Sequence, residues 1–91
     1  MASEQLAAQS TLEALKRVLG EVLQIGARAG RLTADTPLLG SLPELDSMAV
    51  VAVITALEEA FGIFVNDDEV SAETFETVGS LAAFIDRKRA A

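Results

Sequence analysis

The 91-residue sequence contains no cysteine, histidine, tryptophan or tyrosine. Without cysteine it forms neither disulfides nor thiolate ligands. Without histidine it also lacks the commonest zinc ligand and the base of a Ser-His-Asp triad. These absences exclude the usual zinc sites and any Ser-His-Asp or Cys-His catalysis, and no residue pattern supports an active site or a metal site, so we expect neither.

Long hydrophobic runs are also missing. The longest one, Met48 to Ile54, has seven residues, whereas a membrane-spanning helix needs about 20. The first residues include Glu4 and lack the basic and apolar parts of a signal peptide. We therefore expect no membrane insertion and a cytoplasmic location.

Basic residues are scarce and unevenly placed. The formal net charge is -7, and the stretch from 32 to 86 contains no Lys or Arg but eleven acidic residues. Such a charge disfavours binding to nucleic acid phosphates and favours basic partner surfaces. Like charges also oppose self-association, so we expect a monomer.

The spacing of apolar residues predicts helices separated by one long loop. A first amphipathic helix runs from about Ser3 to Gln24, and a second runs from Ser47 to Ala60 or Phe61 and ends at Gly62. Residues 27–46 have no sustained period and contain Gly and Pro, which predicts a loop. The leucines expected to hold this loop against the core are Leu32, Leu38, Leu39, Leu42 and Leu45.

The C-terminal third predicts a short capped turn and a last helix. The turn covers Asn66 to Val70, and the helix begins near Thr77. Its expected inward residues are Val78, Leu81, Phe84 and Ile85. The fold class is an all-α bundle with one long connection, in a single domain of residues 1–91 with a core of about 4–88.

Ser47 lies where the long loop meets the second helix. A serine before an apolar run is usually an N-cap, and Asp46 is an equally good cap. Alternatively, Ser47 carries a covalent phosphate ester, which the positive end of a helix dipole would favour. The residues alone leave both interpretations open.

Four sequence blocks resemble the acyl carrier protein family. The central ones are Leu45-Asp46-Ser47-Met48 and Leu57-Glu58-Glu59-Ala60-Phe61-Gly62-Ile63. Thr36-Pro37-Leu38-Leu39-Gly40 resembles the family's loop, and Phe75-x-Thr77-Val78-Gly79-Ser80-Leu81 resembles the start of its final helix. The similarity covers roughly residues 6 to 86, with the blocks in the family's order.

The resemblance implies a four-helix bundle of acyl-carrier type, with a long loop between helices 1 and 2 and a short third helix. It implies that a phosphopantetheinyl transferase moves 4'-phosphopantetheine from coenzyme A to Ser47, beside Asp46. The arm would then carry acyl groups as thioesters to acyl-loading and acyl-transferring enzymes. Two alternatives remain: a peptidyl or aminoacyl carrier of the same fold, and a helical adaptor in which Ser47 is only a cap.

The second helix departs from the family pattern because its first half has no acids. We expect an exposed apolar strip at Ala49, Val50 and Val53, contiguous with Met48, unless the long loop covers it. Phe64 would extend this partner-binding surface, and Glu58 and Glu59, with Asp46 and Glu44, would steer partners. The inward residues expected from a 3.6-residue period are Met48, Val51, Ile54 or Thr55, and Phe61, with Leu57 at the flank.

Overall fold

A computed structural model describes residues 2–38 and 45–90, with side chains from residue 11 onward. Within these residues the chain forms three α-helices: α1 (Ala2–Val22), α2 (Ser47–Phe61) and α3 (Val78–Ala90). A 3-10 segment (Gly26–Arg31) follows α1, and a 3-10 turn (Asp67–Glu69) separates α2 from α3. The described residues contain no strand, only an isolated bridge between Pro37 and Thr77. The all-α prediction is confirmed.

The helix α1 packs against both other helices through one apolar stripe. Leu15, Leu19 and Leu23 are buried, and Leu12, Val18 and Val22 are partly buried against the same core. The helix ends at Val22, two residues before the predicted end. Gln24 and Gly26 then adopt positive φ angles of 55° and 57°, and the chain turns into the 3-10 segment.

Two side-chain contacts and one backbone contact show where the helices meet. Thr11 on α1 donates a hydrogen bond from Oγ1 to Oδ1 of Asp86 on α3, at 2.6 Å. The Arg89 guanidinium lies 5.7 Å from the centre of the Phe61 ring, which brings the C-terminal ends of α2 and α3 together. Gly79, near the start of α3, donates from its N–H to the carbonyl of Ala34 in the loop that follows α1. The last turns of α2 and α3 thus lie together, the middle of α1 lies against the C-terminal part of α3, and the loop lies against the start of α3.

The described part of the loop between α1 and α2, residues 23–38 and 45–46, has more regular structure than predicted. The 3-10 segment was not expected, because its sequence Gly-Ala-Arg-Ala-Gly-Arg has no apolar period. It lies close to α1: a Cβ at Gly20 would come within 2.8 Å of the Ala29 Cβ. Of the leucines predicted to hold the loop, the buried ones are Leu32, Leu38 and Leu45, whereas Leu39 and Leu42 lie outside the described residues.

Backbone hydrogen bonds join this loop to the start of α3. Val78 and Gly79 donate to the carbonyls of Thr36 (2.9 Å) and Ala34 (2.8 Å), and Leu38 donates to the carbonyl of Glu76 (3.0 Å). The loop thereby accepts bonds from N–H groups that have no partner inside the helix. Together with the burial of Leu32 and Leu38, these bonds hold residues 32–38 against the start of α3.

The helix α3 begins and packs as predicted. A reciprocal cap joins Thr77 and Ser80: each backbone N–H donates to the other's side-chain oxygen at 3.0 Å. The four residues expected to face inward, Val78, Leu81, Phe84 and Ile85, are all buried. The apolar spacing and the residues at the start of α3 were therefore sufficient to predict where this helix begins and which side faces the core.

The segment between α2 and α3 is held by two carboxylates. Glu58 accepts the backbone N–H of Val65 at 2.9 Å, and Glu69 accepts that of Asn66 at 2.9 Å. Lys88 on α3 donates to both oxygens of Glu69, at 2.8 and 3.0 Å. The predicted capped turn is present, as a single 3-10 turn tied to α3.

Candidate functional site

Ser47 is the first residue of α2, and its side chain is exposed. The N-cap is Asp46, whose Oδ1 accepts the Ala49 N–H at 2.8 Å and whose backbone carbonyl accepts the Val50 N–H at 2.9 Å. Asp46 is therefore the N-cap of α2, a role for which the sequence offered both Asp46 and Ser47 as candidates. The Ser47 hydroxyl makes no hydrogen bond with any residue that the structure describes.

The backbone around Ser47 is fixed from both sides. Leu45, two residues earlier, is buried, and Val53 and Leu57, farther along α2, are 0% and 1% exposed. The hydroxyl thus lies on an anchored helix start and faces solvent. The positive end of the helix dipole is next to it, so an anionic group bonded to Ser47 Oγ would be electrostatically favoured.

The orientation of α2 differs from the prediction. Val53, expected in the exposed strip, is fully buried, and Leu57, expected at the flank, is buried as well. Met48 and Val51, expected to face inward, are 79% and 61% exposed. The prediction was wrong for Val53, Leu57 and Val51, and wrong for Met48 as an inward residue, whereas the exposure of Met48 agrees with its other predicted place beside the strip. In an apolar helix, the period alone does not identify the inward face.

Three large apolar side chains are exposed in the described part of the chain: Met48, Val51 and Phe64. Two of them lie one turn apart on α2, directly after Ser47, and Ala49 and Val50 beside them are half-buried. An exposed apolar strip therefore exists at the start of α2, with Val51 rather than Val53 as a member. We call Met48, Ala49, Val50 and Val51 the α2 strip.

The two acids late in α2 have different surroundings. Glu59 is exposed, as a residue that steers partners should be. Glu58 is half-buried, and one of its oxygens binds the Val65 N–H. No sequence pattern indicates this second role, because the contact joins a helix to an extended segment seven residues farther along the chain.

Neither a metal cluster nor a membrane-spanning helix occurs in the part of the chain that the structure describes. Among the described residues, no group of three or more His, Cys, Asp or Glu side chains is arranged to hold a metal ion. In the same residues, no helix combines the length and the apolarity needed to cross a bilayer.

Comparisons with known proteins agree with this geometry. Residues 4–85 match the family model described as a phosphopantetheine attachment site. The solution NMR structure of a holo acyl carrier protein from Nitrosomonas europaea is 60% identical to this chain. That match covers 88% of this chain and 96% of the other, with a TM-score of 0.83. The chain therefore belongs to the acyl carrier protein family.

The residues present fit the family's 4'-phosphopantetheine group. Attachment needs a hydroxyl that an enzyme can reach, and Ser47 is exposed and does not cap its own helix. The phosphodiester that results carries negative charge, which suits the start of α2. The nearest carboxylate in sequence, Asp46, directs one oxygen to the Ala49 N–H.

Proposed function

We propose that Ser47 Oγ is the attachment point of 4'-phosphopantetheine, and that the chain presents acyl groups on this arm to partner enzymes. The observation that carries the assignment is the exposed Ser47 side chain beside a neighbouring Asp46 cap. Membership of the acyl carrier protein family supports the same role. When attached, the arm supplies a terminal thiol that holds an acyl group as a thioester.

The attachment step is a phosphoryl transfer from coenzyme A. Ser47 Oγ forms a bond to the phosphorus nearest the pantetheine part, and the bond from that phosphorus to the bridging pyrophosphate oxygen breaks. Adenosine 3',5'-bisphosphate leaves, and the hydroxyl proton passes to a base. The sequence has no histidine to act as that base. We therefore assign the proton transfer to a phosphopantetheinyl transferase and propose that the chain itself is not catalytic.

The α2 strip is proposed as the surface on which partner enzymes dock. Met48 and Val51 project from the turn that follows Ser47, so a protein whose active site reaches the hydroxyl must also cover them. Their burial by a partner would remove apolar area from water, at roughly 25 cal/mol per Å². Phe64 extends the exposed apolar surface, and Glu59 contributes negative charge farther along α2.

The proposed oligomeric state and location of the chain are based on its composition. The net charge of -7 keeps copies apart, which supports a monomer. The absence of cysteine is compatible with a cytoplasmic protein whose only reactive thiol arrives with the arm. Acyl-loading and acyl-transferring enzymes, together with the transferase, are the proposed partners.

The attachment is tested by mass spectrometry of the purified chain. Incubation with coenzyme A and a broad-specificity phosphopantetheinyl transferase should add the mass of one phosphopantetheine. Ser47→Ala should abolish the increase, whereas Ser41→Ala and Ser71→Ala should retain it. Modification that persists in Ser47→Ala, or none with several transferases, would reject Ser47 as the attachment point.

The docking surface is tested by kinetics with the same transferase. Met48→Ser and Val51→Ser should raise KM for the carrier while leaving kcat nearly unchanged, because both side chains are exposed, are not part of the buried core, and would contact the enzyme only in docking. Ala83→Ser, an exposed position on α3, is the matched control. Equal KM values for all three variants would remove the α2 strip from the proposal.

A further inference from the structure

We propose that a phosphopantetheinyl transferase meets this chain across the outer face of α2 with an apolar surface rather than a basic one. The outer face consists of the exposed residues Met48, Val51, Ala52 and Thr55. This inference rests on the proposed function, because it describes the chemistry of a partner that must reach Ser47. It limits the expectation from the net charge, which favours basic partners for the chain as a whole.

The outer face is one continuous side of α2. At about 100° per residue, its four members fall within an arc of about 100°, and Val53 lies on the opposite side. Val53 is 0% exposed, whereas Met48 and Val51 are 79% and 61% exposed. Ser47 directly precedes the first member of the face. An enzyme whose active site closes over the Ser47 hydroxyl would therefore cover this face as well.

The first three turns of α2 carry no charged side chain. Residues 47–57 contain no Asp, Glu, Lys or Arg. The Thr55 hydroxyl donates to the Val51 carbonyl at 3.1 Å, so its hydrogen is already used within the helix. The face offers a basic side chain no carboxylate to pair with, whereas an apolar surface would remove Met48 and Val51 from water.

The acids later in α2 are distant from Ser47. Glu59 is exposed in line with the outer face, but it lies about 18 Å along the helix axis from Ser47, at 1.5 Å per residue. The Debye length at physiological ionic strength is about 8 Å. Glu58 is only one residue nearer, and one of its oxygens accepts the Val65 N–H at 2.9 Å. These acids can attract a partner during its approach, but they do not contact the part that covers Ser47.

Asp46 is the charged residue next to Ser47, and its charge serves the helix start. Its Oδ1 accepts the Ala49 N–H at 2.8 Å, and the positive end of the helix dipole offsets part of the carboxylate's charge. Glu44, three residues before Ser47, lies outside the described residues. The outer face, which begins at Met48, is consequently apolar although an acid precedes it.

The test places opposite charges at one exposed position of the outer face. Ala52→Glu and Ala52→Lys should both leave the core intact, because Ala52 is exposed. With a broad-specificity phosphopantetheinyl transferase and saturating coenzyme A, each should raise KM for the carrier about five- to tenfold, since either charge would lose its water against an apolar surface. The matched controls, Ala83→Glu and Ala83→Lys at an exposed position on α3, should change KM less than about twofold.

The outcomes identify the chemistry of the partner surface. A lower KM for Ala52→Glu with a higher KM for Ala52→Lys would indicate a basic surface and overturn the inference, and the reverse pair would indicate an acidic surface and overturn it equally. Unchanged KM values in both variants would overturn it too, because the transferase would not contact the outer face. Failure of the proposed function is a separate observation: a parent chain that gains no phosphopantetheine mass would overturn both.

Discussion

Substitutions of Asp46 and Ser47 should have different effects. Replacing Asp46 should lower the stability of the chain, whereas replacing Ser47 should abolish its modification and leave the stability nearly unchanged. Asp46 Oδ1 accepts the Ala49 N–H at 2.8 Å, whereas the Ser47 side chain makes no hydrogen bond with a described residue. Loss of an N-cap side chain costs about 1 kcal/mol, within a range of roughly 0.5–2. For a domain of this size, each kcal/mol lowers Tm by about 4–8 °C. Asp46→Ala should therefore melt about 4–8 °C below the unmodified parent chain.

Ser47→Ala should leave the free energy of unfolding within about 0.5 kcal/mol of the parent value, because the substitution is exposed and removes no cap. The same variant should accept no phosphopantetheine. Asp46→Asn is the matched control, since asparagine caps as well as aspartate. It loses only the favourable charge at the helix start, about 0.3–1 kcal/mol.

The assay is thermal and urea unfolding followed by circular dichroism, with all four proteins in the apo form. Urea gives the free energies at 25 °C, and mass spectrometry of the same samples gives the extent of modification. If Ser47→Ala destabilised the chain as much as Asp46→Ala, Ser47 would be a capping residue and the geometric argument for its free hydroxyl would fail.

Two further substitutions test how the helices are held. Gly79→Ala should cost about 1–3 kcal/mol, because its Cβ would lie 2.8 Å from the Ala34 carbonyl oxygen; Gly30→Ala, with nothing within 4 Å, is the control in urea unfolding. A hydrogen bond from Lys88 holds the pKa of Glu69 below its ordinary value. The stabilisation is present above that ordinary pKa and is lost as pH falls through the lowered one. Tm should therefore fall less between pH 7 and pH 3 in Glu69→Gln than in the parent, and parallel curves would contradict this.

Helix boundaries were predictable where the signal is local. Three local signals act through neighbouring backbone: Asp46 at the start of α2, Gly62 with φ of 65° at its end, and the Thr77–Ser80 pair at the start of α3. The 3-10 segment has no such signal. Its position depends on the approach of Ala29 to Gly20, a tertiary contact that the sequence does not encode in any short pattern.

The sequence predicted which residue forms the candidate site, but not the hydrogen bonding around that residue. The apolar pattern predicted that Ser47 lies at the start of a helix, and the motifs around it resemble those of a family. The residues alone, however, left capping and attachment as alternatives for the same hydroxyl. The structure assigns the cap to Asp46 through one hydrogen bond, from the Ala49 N–H, and attachment at Ser47 is the proposal that mass spectrometry tests. Which of two adjacent capping residues accepts that N–H depends on the backbone entering the helix. Here Asp46 is extended, with φ of -94° and ψ of -177°.

The wrong prediction of the inward face of α2 and the presence of an exposed apolar strip on this helix have the same cause, which is that α2 is apolar on both faces. At about 100° per residue, Val53 and Leu57 lie about 40° apart and Val51 lies about 200° from Val53. The two sets thus occupy opposite faces, yet both are apolar, so the sequence marks neither as the inner one. A charged outer face would have identified the core side of α2. The apolar residues that obscured that choice are the ones left exposed beside Ser47, where an approaching enzyme would cover them.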